Sequence, residues 1–319
     1  MNASTRVFEN VFKKPWIWAY LGTLIVWLIT IAFTKGQGAG DIVTAALSFA
    51  TFTVIVGIGQ MLVITTGPGN IDLSIPANIA LSGAVTMKVM DGSNEMLLVG
   101  VFVALGCGLA VGIFNYSLIR ILRIPPIIAT LSSSFLILST AIAYGRGLKI
   151  KPPPLLADFA TMRLFGIPIL AIFVIAMAGF FSIVMHRTLY GRSILAIGQN
   201  MRAAWLAGIQ VERIRFITYV LSALLASICG LVLAGFSGGA SLNMGEEYLL
   251  ASIAVVVIGG SSVAGGKSNV PGIWGAALFL FLLVTMLNTL GVTAGLRLIL
   301  TGLIIIAVIT TAGGDKPQH

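Results

Sequence analysis

Charge is scarce in this chain. Of 319 residues only 9% are Asp, Glu, Lys or Arg, against 58% hydrophobic, and the mean hydropathy is +1.04. So much apolar side chain cannot be enclosed in a soluble core, and the chain reads as an integral membrane protein. Cysteine is nearly absent. Cys107 and Cys229 both sit in apolar helical runs, which favours two buried thiols over a disulfide and spells neither a metal site nor a redox motif. The two histidines stand apart, His186 at a helix end and His319 at the C-terminus, and Asp72 is the one acid placed in or at the edge of the membrane core. Proton relays need intramembrane carboxylates or histidines, so a proton-coupled carrier has little to work with; sodium coupling through broken helices is less easily set aside. No cluster of nucleophile, base or metal ligands is spelled, so no catalytic residue and no metal site is expected.

Apolar runs near 16–34, 42–66, 71–90, 96–119, 126–145, 166–185, 214–236, 247–262, 270–290 and 296–312 each approach the ~20 residues that cross a bilayer core. The expectation is an all-α polytopic bundle of about ten spans forming one membrane domain over 1–319. Gly, Pro and polar residues break the third and eighth runs, so broken or re-entrant segments are expected near 66–78 and 259–271. The first run follows Arg6, Lys13 and Lys14 as a signal peptide would, but it is long enough to span and is read as retained. With the N-terminus inside, 12 of the 19 Lys and Arg are cytoplasmic: Arg6, Lys13, Lys14, Arg120, Arg123, Arg187, Arg192, Arg202, Arg213, Arg215, Lys267 and Lys316. That sidedness explains the net charge of +9 better than nucleic acid would, and no nucleic-acid partner is expected. The loop from Gly145 to Gly166 is basic although outside. Its Lys151-Pro152-Pro153-Pro154 run should be stiff and extended, suited equally to docking an extracytoplasmic protein or to plain connection. Glu246 and Glu247 are placed at an outer helix end, capping a helix or meeting a basic partner.

The stretch 187–215 is the one long polar segment between two blocks of spans. It carries five arginines against Glu212, with Ala203, Ala204, Ala207 and Gly208 at helical spacing after Asn200. A short cytoplasmic helix with a surface for close contact follows; a solvated loop that only fixes topology would leave the Ala and Gly pattern unexplained. Inside the membrane, Gly67-Pro68-Gly69-Asn70-Ile71-Asp72-Leu73-Ser74-Ile75-Pro76 is the most polar interruption. Asp72 and Ser74 either satisfy free amides at the start of a Pro-containing helix, the favoured reading, or face a hydrated path. Thr130, Ser132, Ser133 and Ser134 open the fifth run, returning bonds to their own helix or lining a path for a polyol. Gln60, Asn115 and Asn288 are amides suited to helix packing or to substrate contact. Gly259 to Ser268 imitates a phosphate-cradling loop, but Ser261 stands where the pattern needs Gly six residues before Lys267; nucleotide binding is rejected in favour of a tight turn or re-entrant element.

Four motifs together resemble the ribose permease family of sugar-type ABC importers. They are Arg187-Thr188 with Gly191-Arg192, Ala196-Ile197-Gly198, Asn200, Ala203-Ala204 and Ala207-Gly208-Ile209; Ile71-Asp72-Leu73-Ser74; Pro126-Ile127-Ile128-Ala129-Thr130-Leu131; and Gly259-Gly260-x-Ser262-x-Ala264-Gly265-Gly266-Lys267. Met201 and Arg202 stand where the family often has an acid, and Gly-Pro-Gly-Asn precedes Ile71. The resemblance implies a permease subunit that hydrolyses nothing, with ATP and magnesium held by a cytoplasmic ATPase partner. It also implies an extracytoplasmic solute-binding protein, a second permease subunit, identical or related, and residence in the bacterial inner membrane among its lipids. Cargo is expected to be a monosaccharide or similar small polyol; permeases for nucleosides or branched-chain amino acids share the organisation. Arg187, Gly191, Arg192, Gly198, Asn200, Ala203, Ala204, Ala207 and Gly208 are then expected to couple to the ATPase. Gln60, Asn70, Asp72, Ser74, Asn115, Thr130, Ser132, Ser133, Ser134 and Asn288 are the substrate-pathway candidates.

Overall fold

A computed structural model describes residues 15–147 and 150–312. Arg6, Lys13, Lys14, Lys316 and His319, used above for sidedness and titration, lie outside the described residues, as does Lys149 of the basic 145–166 loop. The chain runs α1 (Pro15–Phe33), α2 (Ala39–Thr65), α3 (Ile75–Met90), α4 (Leu97–Arg120), α5 (Pro126–Gly145) and α6 (Pro154–Thr161). A small hairpin follows, β1 (Arg163–Leu164) with β2 (Ile167–Pro168), then α7 (Ile169–Arg187), α8 (Leu189–Gln199), α9 (Met201–Leu206), α10 (Val211–Phe236), α11 (Glu247–Ile258), α12 (Val270–Thr289) and α13 (Ala294–Ala312). Every apolar run contains a helix. Among the described residues seven are long and apolar enough to cross a membrane, and Ile75–Met90, Glu247–Ile258 and Ala294–Ala307 are shorter apolar helices. The two short helices α3 and α11 come from the two interrupted runs, and the non-helical backbone falls at 66–74 and 259–269, within the expected breaks.

Among the span-length helices α2, α10 and α12 are the most enclosed, and the short helix α3 is buried with them. Close approach depends on small residues. Gly100, Ala104, Gly108 and Gly112 recur every four positions on α4 and so share one face. A Cβ at Gly112 would sit 2.6 Å from Val220 Cα, and one at Gly108 2.8 Å from Leu224 Cα, so α4 and α10 lie nearly backbone to backbone. Helix α1 is fastened to α12 by Tyr20, whose hydroxyl donates to the Pro271 carbonyl (3.0 Å), and by Thr23, which reaches the Gly275 carbonyl (3.0 Å). The connection from α10 to α11 folds back on α3, with Met244 against Gly83 and Gly245 against the Pro76 backbone. Outward faces stay apolar, with Phe102 on α4, Phe135 on α5, Phe173 and Phe180 on α7 and Leu298 on α13 exposed, as a lipid-facing surface requires.

The proline run is extended at Pro153 (φ −53°, ψ 138°) but is packed into the protein: Pro152 and Pro153 are buried and Pro154 opens α6, where its missing amide hydrogen costs nothing. Glu246 precedes α11 without capping it by its side chain, although Glu247 in the first turn suits the helix dipole.

The packing of α4 on α10 predicts that Gly112→Leu destabilises the protein by about 1–3 kcal/mol through overpacking. Gly106, whose Cβ position is open, should accept Leu without loss. Thermal unfolding of the two purified variants in the same detergent checks this; similar midpoints would refute the close contact.

Candidate coupling site and the polar segment beneath it

Residues 66–74 leave the helical ladder: the Thr66, Gly67 and Asn70 amides close local turns and Pro68 and Gly69 are exposed, but the backbone that follows runs into the protein and needs partners from elsewhere. The Asp72 amide donates to Gln60 Oε1 on α2 (3.3 Å), and the Leu73 amide to Thr130 Oγ1 on α5 (3.1 Å). The Ser74 amide donates to Asp72 Oδ1 (3.0 Å). Thr130 Oγ1 also lies 3.1 Å from the Ile71 carbonyl, to which it can donate. The Asp72 carboxylate is fully buried and accepts two further bonds, from the Ser74 hydroxyl at Oδ1 (2.6 Å) and from Ser222 of α10 at Oδ2 (3.0 Å). Ser74 in turn accepts from Asn115 Nδ2 on α4 (2.7 Å), and the Ser133 hydroxyl on α5 donates to Asn115 Oδ1. One carboxylate thus sits at the hub of a polar cluster joining α2, α3, α4, α5 and α10. It lies next to the start of α3, where the helix dipole also favours negative charge.

The division of labour differs from a plain helix cap. Ser74 occupies the N-cap position of α3 yet makes no capping bond with its side chain; Asp72 satisfies the Ser74 amide and Ser74 passes the connection on to Asn115. Asn70, also buried, accepts from Arg215 (2.9 Å) and Tyr219 (3.3 Å) of α10 and donates to the Gly67 carbonyl (3.0 Å).

The turn before this segment meets two other loops at one end of the bundle. The Gly266 amide donates to the Thr65 carbonyl (3.0 Å), and a Cβ on Gly265 would sit 2.5 Å from Gly67 Cα. A Cβ on Gly198 would overlap both the Thr65 carbonyl and the Gly266 amide. The glycines that imitated a phosphate loop therefore serve backbone contact. Asn269 completes the turn, donating from Nδ2 to the Gly259 carbonyl (2.7 Å) and accepting from the Gly272 amide (3.4 Å) at the start of α12.

Between α7 and α10 the chain forms two short helices. Thr188 caps α8 by accepting from the Gly191 amide (3.2 Å), and Asn200 caps α9 by accepting from the Ala203 amide (2.9 Å). Arg187, Arg192, Asn200, Ala203, Ala207 and Gly208 are exposed, as a docking surface needs. Gly191, Gly198 and Ala204 are not: each is buried. Gly191 lies against the Val184 and Met185 backbone, Gly198 fills the junction just described, and Ala204 packs with Ile197 and Val211. Their small size serves internal contact rather than a partner. The outward face of α9 is instead carried by Met201, Trp205 and Leu206, with Leu189 of α8 also exposed and the Arg202 guanidinium 5.0 Å from the Trp205 ring. Beside it opens a cleft of about 570 Å³ bordered by Arg120, Trp205, Gln210 and Arg213, where Arg120 pairs with Glu212 at 3.0 Å and Tyr116 donates to the same carboxylate (2.7 Å).

Of the pathway candidates, Gln60, Asn70, Asp72, Ser74, Asn115, Thr130 and Ser133 are brought together by the fold. Ser132 is exposed, Ser134 returns its hydroxyl to the Leu131 carbonyl (2.8 Å), and Asn288 accepts from Arg297 far along the chain, so none of these three joins the cluster. Sequence reasoning missed Ser222, Tyr219 and Arg215 of α10. Their spacing of three to four residues on one face was the available signal, but it is equally the signal of ordinary membrane-helix packing. Among the described residues no group of three or more His, Cys, Asp or Glu side chains is placed to hold a metal ion.

Residues 42–309 match the family model described as branched-chain amino acid transport system / permease component. The chain is 31% identical to the ribose import permease protein RbsC of Escherichia coli (strain K12), over 97% of this chain and 98% of that protein. It is also 31% identical to the autoinducer 2 import system permease protein LsrD of Photorhabdus temperata, over 91% of this chain and 89% of that protein. No solved structure matches.

The cluster predicts an asymmetry at position 72. In Asp72→Asn the carbonyl oxygen still accepts from Ser74, and the new amide can donate to Ser222, so stability should change by less than about 1 kcal/mol. Asp72→Ala leaves buried donors unpaired, each costing ~1–3 kcal/mol. Membrane-inserted amount and thermal midpoint of both variants are the measurements; equal damage would mean that the charge itself is required.

Proposed function

The chain belongs to the family of branched-chain amino acid transport system / permease components, and on that premise we propose that it is the membrane subunit of an ATP-driven importer whose cargo is a monosaccharide or a similarly small polyhydroxylated solute. The observation that carries the reading is the mounting of the α8–α9 loop. Gly198 presses its backbone onto the Thr65–Gly266 contact, so the loop presents Trp205, Leu206 and Ala203 from a base continuous with residues 66–74. A partner that pushed on this face would move the turn that precedes Asp72. In this proposal the partner is a cytoplasmic ATPase that holds ATP and its magnesium, and the N-terminus and the 188–210 loop share the cytoplasmic side of the bacterial inner membrane. A second permease subunit completes the pathway, and a solute-binding protein delivers cargo from outside.

The sugar assignment is supported by near full-length similarity to a protein named as a ribose import permease. The buried cluster groups Gln60 of α2, Asn70, Asp72 and Ser74 of the non-helical segment, Asn115 of α4 and Thr130 and Ser133 of α5 beside the proposed path.

Two outcomes test the proposal. Reconstituted alone in liposomes, the protein should show no uptake on a proton or sodium gradient; gradient-driven uptake would make it a secondary carrier. Ala203→Trp, on the exposed face, should leave insertion and thermal midpoint unchanged but reduce ATPase copurification and ATP-driven uptake about fivefold or more, as an overpacking penalty of ~1–3 kcal/mol at a contact implies. Ala204→Trp should lower the midpoint of the isolated subunit instead, because Ala204 is packed internally. Gly208 is a poorer probe, since its φ of +84° makes any larger residue strained. Retention of both ATPase and uptake by Ala203→Trp would reduce the loop to a connector.

A further inference from the structure

We infer that the β1–β2 hairpin, at the end of the bundle opposite the α8–α9 loop, is a lipid anchor whose tip, Phe165, lies in the membrane interface. The tip residues Phe165 and Gly166 have φ of +50° and +82°, the pattern of a two-residue type I′ turn. That turn favours Asn, Asp or Gly at its first position; a bulky aromatic there is conformationally costly. Phe165 gains nothing from the protein in return, being 96% exposed, and Met162, Leu164 and Ile167 beside it are exposed as well. A large apolar side chain held in an unfavourable conformation with no internal contact is explained by an apolar surrounding outside the protein.

Three contacts fix the depth of the hairpin. The Ile169 amide, at the start of α7, donates to the Met162 carbonyl (3.0 Å), and α7 with 19 residues is roughly 28 Å long, close to the hydrocarbon thickness. The hairpin therefore sits at the edge of the hydrocarbon. Phe159 of α6 packs edge-on against Phe173, one turn further into α7, at 6.1 Å between ring centres. Thr44 lies within 3.4 Å of the Gly166 carbonyl, five residues into α2, which at 27 residues is roughly 10 Å longer than the core and so begins outside it. Phe173 on α7 and Val43 on α2, near these contacts, are exposed apolar residues as well. Arg163, exposed in β1 and without an ion pair among the described residues, is placed to meet lipid phosphates.

The test attaches a nitroxide to Phe165→Cys in a Cys107→Ala, Cys229→Ala background, in vesicles of phosphatidylethanolamine and phosphatidylglycerol. Accessibility to oxygen and to a water-soluble nickel chelate is compared with a label at Lys151→Cys. Position 165 should show an oxygen-to-nickel ratio several-fold above that at 151. Leu164→Cys supplies the same reading if the tip variant does not fold. High nickel and low oxygen access would leave the hairpin in water, available to a protein partner, and low access to both would place it against another subunit; either result overturns the lipid assignment.

Discussion

The structure depends on satisfying a stretch of non-helical backbone inside a membrane protein. The Thr66, Gly67 and Asn70 amides close local turns, but those of Asp72, Leu73 and Ser74 take side-chain partners, which hydrocarbon could not provide. The solution is a set of side chains from four surrounding helices, Gln60, Asn115, Thr130 and Ser222, arranged around the Asp72 carboxylate. A buried carboxyl group is tolerated because three hydrogen bonds face it at the start of α3. Each helix that donates to the cluster is thereby fixed relative to the others.

The same segment is where surface and interior meet. Thr65, just before it, touches Gly198 and Gly266 backbone to backbone, Gly67 touches Gly265, and its last residues hold α5 through Thr130 and, by way of Ser74 and Asn115, through Ser133. The α8–α9 loop is thus linked to α5 by main-chain contacts and hydrogen-bonded side chains. Packed backbone contacts move as a unit rather than deforming continuously.

Small residues do two unlike jobs in this chain. On α4 and in the three loops at the junction they allow backbones to approach, and a side chain there has no room. At Ala203 and Ala207 smallness leaves an exposed face open. From the sequence both appear as Gly and Ala at helical spacing, so Gly191, Gly198 and Ala204 were grouped with a docking surface they do not belong to.

Composition and hydropathy by themselves determined the class of protein, the positions of its ten apolar helices and the two places where regular structure breaks, because bilayer thickness sets span length and Gly, Pro and polar residues interrupt a span. The sequence also pointed to Asp72, since a lone carboxylate in an apolar chain must find partners. Which partners it finds was decided only in three dimensions. Ser222 lies 150 positions away and, like Ser132 or Ser134, is a hydroxyl on a membrane helix; only the crossing of α10 with the broken segment distinguishes it. Asn115 and Asn288 are both amides in spans, yet one joins the cluster and the other pairs with Arg297, because local pattern specifies the helix face and not the neighbour it meets.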